Sequence, residues 1–158
     1  MKIAELVHDA RIALAKGDNK SAIELLKKAV EAEDALNYAE PAGWYIPARE
    51  SLGGVLMLNG DYAEAEKVFR VDLDKNPRSG CSLFGLLKSL KAQRKNYDAQ
   101  LVQKEFEFAW KNADIQLKQV EDLLRSYKKR DGVPCWLRDL ETLIVFLYTG
   151  LEKGGLIF

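Results

Sequence analysis

The sequence predicts an all-α protein built as a solenoid of helical hairpins, and three observations carry that prediction. A pattern recurs 43 residues apart: Gly17-Asp18 followed by Ala22, Leu26 and Ala29, then Gly60-Asp61 followed by Ala65, Phe69 and Asp72. A Gly-Asp turn, then a small residue and a large apolar one four positions later, is how one helix ends and a second packs back on it. Elsewhere apolar residues recur at three- and four-residue steps, the spacing of a helix with one buried face. Breakers such as Asn59-Gly60 and Asn76-Pro77 stand between these stripes rather than inside them. Repetition at roughly 20–50 residues points to hairpins that bury their apolar faces by stacking on neighbours.

Taken in order, Leu6, Ala10 and Ala13 stripe a helix from Ile3 to Lys16, and Gly17 ends it. Ala22, Ile23, Leu26, Ala29 and Val30 mark the buried side of a second helix, Ser21 to Glu33. Asn37, Pro41 and Gly43 give 34–43 the composition of an inserted loop. A third helix is expected from about Tyr45 to Leu58, with Pro47 tolerated in its first turn, where a missing N–H costs nothing. Tyr62 to Lys75 follows as the fourth, closed by Asn76-Pro77 because proline disfavours a helical residue before it. The next pair is Ser82 to Gln93, striped by Leu83, Leu86, Leu87 and Leu90, and Tyr97 to Asn112, striped by Leu101, Val102, Phe106, Ala109 and Trp110. Asp114 is placed to cap a further helix carrying Leu117, Val120, Leu124 and Tyr127. After the breaker 130–134, Trp136 to Leu151 contains the apolar run Leu143 to Tyr148.

Composition excludes several functions. Lys+Arg and Asp+Glu number 24 each, so no net field exists to hold a nucleic-acid backbone or an anionic membrane. Glu5, His8, Asp9 and Arg11 interrupt any signal-peptide core in the first fifteen residues, which predicts a cytoplasmic location. Cys81 and Cys135 lack metal-site spacing and are expected to be reduced. An enzyme needs a nucleophile with a base, paired acids in a cleft, or metal ligands. His8 is the single histidine and reads as a surface imidazole, and no glycine-rich phosphate loop exists, so neither catalysis nor a cofactor is expected. Lys128-Lys129-Arg130 suits a helix end without any nucleic acid.

The chain resembles the tetratricopeptide repeat (TPR) family. The match is best over 46–79, with Leu52-Gly53, Leu56, Gly60-Asp61-Tyr62, Ala65, Phe69 and Pro77. Residues 3–36 keep Leu6, Ala10, Gly17, Ala22, Leu26 and Ala29, and 80–113 keep Leu83, Leu90 and Tyr97 but carry Leu87 where a small residue is usual. Glu33-Asp34, Tyr38, Trp44-Tyr45, Arg49, Asn76-Pro77, Ser82 to Leu86 and Ala109-Trp110 resemble the C-terminal repeats of a group of longer TPR proteins, to which no reaction is assigned. The resemblance implies a TPR-like repeat region over 1–117 and C-terminal helices, cap or interface, over 118–158.

It also implies a concave groove lined by Val7, Arg11 and Leu14, by Glu50, Gly54 and Met57, and by Phe84, Lys88 and Lys91. A protein or peptide partner would meet Arg11, Glu50, Met57, Phe84, Lys88 and Lys91, and three cations facing one anion favour an acidic segment. Lys88 and Lys91 are also what an ordinary solvated helix face displays. The set that TPR chaperone adaptors use to clamp a terminal carboxylate is not reproduced, since Val7, Ser51, Cys81 and Gly85 occupy several of its places. The loop over 33–49 gathers Glu33, Asp34, Tyr38, Trp44, Tyr45 and Arg49, and two readings stand. Arg49, where the repeat pattern expects a large packing residue, is a guanidinium that needs a carboxylate, from Asp34 or Glu33, to pin the loop. Alternatively the same residues form a small-molecule or enzymatic site. The tail is too short and too charged to span a bilayer, which takes about 20 apolar residues. Trp136, Leu143, Phe146 and Leu147 are expected either to dock on the stack and on a second copy, giving a homodimer, or to bind a neighbouring segment.

Overall fold

The structure, a computed structural model, describes residues 2–36 and 47–124. The chain divides into two compact units, Met1–Leu124 and Arg125–Phe158, and everything described belongs to the first. Among the described residues the protein is all-α: α1 (Lys2–Ala15), α2 (Asn19–Asp34), α3 (Ala48–Asn59), α4 (Tyr62–Lys75), α5 (Gly80–Ala92), α6 (Asn96–Trp110) and a 3-10 turn at Val120–Leu123. Each helix packs on the next in sequence, and α3 also meets α5.

Three turns, α1 to α2, α3 to α4 and α5 to α6, share one geometry. One or two residues after the first helix of each pair the backbone turns left-handed, at Gly17 with φ 79°, Gly60 with 87° and Arg94 with 61°. The next N–H reaches back five residues, Asp18 to the Ala13 carbonyl at 3.0 Å, Asp61 to Leu56 at 2.9 Å and Lys95 to Leu90 at 3.0 Å. This is the Schellman closure, which satisfies carbonyls the helix would otherwise leave open. The next helix in each pair begins there, with Ala22, Ala65 and Ala99 buried at the crossing. Asp18 alone of the three capping positions adds a side-chain cap, accepting from the Ser21 N–H at 3.0 Å.

Close approach decides the centre. Phe69 of α4 is fully buried, and a Cβ placed on Gly53 or on Gly85 would lie 2.4 Å and 2.2 Å from its ring. The ring is thus held between α3 and α5, and neither glycine tolerates a side chain while it stays there. At the far end the Trp110 indole covers Gly80 in the same way, where a Cβ would lie 2.1 Å from the ring. Phe84, Phe106 and Trp110 form a ring series with centroids 5.6 Å and 5.9 Å apart.

Two expectations are corrected. The third helix starts at Ala48, with Pro47 as its N-cap residue rather than inside the first turn; Tyr45 lies outside the described residues. Asp114 does not open an amphipathic helix. The Trp110 indole N–H takes the Ile115 carbonyl at 2.7 Å, and the Asp122 carboxylate accepts the N–H groups of Lys118 and Gln119 at 2.8 Å and 2.9 Å. Those bonds hold 115–119 irregular and leave one 3-10 turn, because a carboxylate that takes backbone donors competes with helix formation. The first unit extends to Leu124, and its 3-10 turn packs on α3 and α5. The expected tail contacts of Tyr127, Trp136, Leu143, Phe146 and Leu147 lie outside the described residues.

Candidate functional site

The junction of α2 with α3 is polar. The first N–H of α3, on Ala48, has no side-chain cap from Pro47 and donates to Glu33 Oε2 at 2.9 Å, so the end of α2 supplies the cap. Arg49, next along, is buried and pairs with Asp34, whose other oxygen takes Lys75 of α4. Of the two partners open to Arg49, the structure uses Asp34. The guanidinium holds the Asp34 carboxyl down to about 2, while burial pushes Glu33 above its ordinary range. Tyr38, Trp44 and Tyr45 lie outside the described residues.

At the next residue, Glu50 accepts from Ser79 Oγ, the N-cap residue of α5, at 2.8 Å. Burial pushes its carboxyl up to about 7, with nearby Asp72 adding to the rise. Asp72 itself is enclosed and accepts from Ser82 Oγ at 2.5 Å and Asn76 Nδ2 at 3.1 Å. These carboxylates tie helix ends together, each accepting from at least one protein donor. Among the described residues no group of His, Cys, Asp and Glu is placed to hold a metal ion, and His8 is exposed.

The face expected to be a groove is built by α1, α3 and α5, and it is occupied. Leu124 lies over Gly54 of α3 and, together with Val7, Ala10, Arg11 and Leu14 of α1, Leu26 of α2 and Ser51 of α3, lines one small cavity. Gly54 makes the seat possible, since a Cβ there would lie 3.0 Å from Leu124 Cδ2 and 3.6 Å from Leu123 Cβ. Lys88 Nζ donates to the Lys118 carbonyl at 3.1 Å and lies 5.1 Å from the Phe84 ring centroid.

The predicted partner-binding residues therefore separate. Arg11 and Lys88 border the segment; Glu50 is turned to Ser79; Met57 and Phe84 are buried in the packing; Lys91 reaches Gln103 of α6 at 3.1 Å. Arg11 and Lys88 thus lie beside the segment, while Lys91 is exposed and bonded to its hairpin partner. Lys118, Leu123 and Leu124 were missed as functional residues. The one available signal was Gly54, a second glycine beside Gly53 inside a helix, where losing a side chain costs about 1 kcal/mol unless something must come close. No helix among the described residues is long and apolar enough to cross a membrane. No protein-family model matches this chain, and no curated protein matches it.

Proposed function

We propose that the chain is a TPR-type helical-hairpin solenoid serving as a protein-interaction scaffold, which takes a short partner segment on the face of α1, α3 and α5. One observation carries this reading: that face already holds a stretch of polypeptide, with an apolar side chain in a seat between α1 and α3 and a lysine on a main-chain carbonyl. A backbone carbonyl is common to every peptide, so the Lys88 contact is one a segment in trans can also offer. The three Schellman turns in equivalent places support the repeat architecture. A small-molecule or enzymatic site over 33–49 has less support, because Asp34 holds Arg49 and Glu33 holds the Ala48 N–H.

Selection from a random peptide display on the immobilised full chain tests the proposal. Gly54→Leu fills the seat with its own side chain and, as a better helix former than glycine, keeps α3 intact. Selected peptides should bind the native chain and lose affinity about tenfold or more for the variant, the scale of a lost buried apolar contact. Recovering none with that dependence removes the reading.

A further inference from the structure

We infer that residues 118–124 are a displaceable occupant of the α1–α3–α5 face and mark the partner it accepts: a protein segment with two adjacent leucines directly after an acidic residue. The inference rests on the groove reading above and names its ligand and its regulation. In this chain the occupant reads Glu121-Asp122-Leu123-Leu124, and Leu124 is the side chain in the seat.

Three features separate this stretch from a permanent part of the core. Its polar bonds are largely its own. Asp122 accepts from the Lys118 and Gln119 N–H groups, and the Lys118 carbonyl meets α5 through the exposed Lys88 contact. The seat is also incompletely filled, for a cavity of about 20 Å³ remains beside Leu124, lined by Val7, Ala10, Arg11, Leu14, Leu26 and Ser51. Unfilled space means contacts forgone, so Leu124 is held less tightly than a side chain in a filled site. Finally, the Trp110 indole N–H donates to the Ile115 carbonyl just after α6, so the bond that anchors the chain there lies before 118–124 and does not involve it.

Val120, Leu123 and Leu124 pack on the core, but the stretch has one 3-10 turn in place of a helix, and segments without regular backbone bonding open first. Tethering still favours it, since a short linker presents its own segment at an effective concentration of about a millimolar. A partner of the same pattern in trans therefore gains the face when its concentration exceeds that value or when the cis stretch is weakened.

The test uses the full chain and a fluorescent peptide of residues 115–124 as the probe. Asp122→Ala removes the carboxylate that shapes the turn while leaving every groove residue in place. Anisotropy should show the peptide binding this variant about tenfold or more tighter than the native chain, because the cis competitor is weakened. Adding Gly54→Leu should abolish that gain. A second variant, Leu124→Ala, empties the seat without touching the turn and should show the same order, so a folding defect in one does not decide the outcome. Equal and negligible peptide binding by the native chain and both variants, with helicity retained, overturns the inference. If display-selected peptides still bind those variants in a Gly54-dependent way, the groove reading stands and only the cis-ligand inference fails; if none binds, both fall.

Discussion

Thirty-four residues separate Asp61 from Lys95, and at that offset the hairpins α3–α4 and α5–α6 can be compared position by position. Leu56 and Leu90, and Ala65 and Ala99, are buried in both, and both turns close with the same bond. Around that shared frame the chemistry reverses. Gly53 and Phe69 of the first pair correspond to Leu87 and Gln103 of the second, and Arg49, Glu50 and Asp72 correspond to Leu83, Phe84 and Phe106. The first pair has helices on both sides and joins them through its polar groups: Arg49 to Asp34, Glu50 to Ser79, Asp72 to Ser82. The second pair closes on itself through rings, Phe84 with Phe106 and Phe106 with Trp110. The turn and the alanine crossing set the path of a hairpin. What neighbours it sets the rest.

The comparison breaks most visibly at Phe69. Phe69→Ala removes the ring between Gly53 and Gly85 and should cost about 4 kcal/mol, the scale for an aromatic side chain deleted from a core that cannot collapse between two helices. Gln103→Ala at the corresponding place should cost under about 0.5 kcal/mol, as surface changes do. Urea unfolding measures both, and a Phe69→Ala midpoint close to that of the native chain would refute the wedge.

A second, smaller contrast is between Glu50 and Phe84. The Glu50 carboxyl is raised in the fold to about 7 from an ordinary 4.5, so between those values the folded chain holds a proton that the unfolded chain has released. Its favourable contribution is therefore complete below about pH 4.5 and lost as pH rises through about 7. Glu33, also raised, acts in the same direction. Asp34, held down to about 2, acts in the opposite one: its contribution is present above the ordinary aspartate range and lost as pH falls through about 2. The melting temperature should fall from pH 5 to pH 8, and Glu50→Gln, which still accepts from Ser79, should remove most of that slope, on the order of 2 kcal/mol after allowance for partial exposure. An unchanged slope in the variant would place the titration elsewhere.

The smallest effect sharpens the turn comparison. Arg94 adopts the left-handed backbone that Gly60 adopts freely, so Arg94→Gly should stabilise by about 1 kcal/mol. Thermal melts resolve a change of that size, and a loss of stability would show that the Arg94 side chain matters more than its backbone.

The sequence made the helices legible because their apolar positions repeat at helical spacing, and α4 begins and ends where the pattern predicts. The third turn was harder. Arg94-Lys95 carries none of the Gly-Asp signature, yet the backbone is the same, because the buried Leu90 and Ala99 on either side leave the chain one way to turn back. Lys95 cannot cap α6 as an aspartate would, and it bonds Glu66 of α4 instead at 2.6 Å, a partner that no local pattern reveals. The stretch after α6 misled for a related reason. Leu117, Val120 and Leu124 have helical spacing, but the Asp122 bonds and the seat beside Gly54 are tertiary facts. Arg49 was readable as a paired cation from its chemistry alone, whereas the choice of Asp34 over Glu33 depended on Glu33 being needed at Ala48.

That last bond has a consequence for how the protein comes apart. In a chain of helices that pack mainly on their sequence neighbours, one pair can in principle melt while the next survives. Here the first N–H of α3 is satisfied by a residue of α2, so the loss of α1–α2 uncaps α3 as well as exposing its side. Opening at the amino-terminal end therefore carries a penalty that extends across the insertion, so the first two hairpins are expected to melt together.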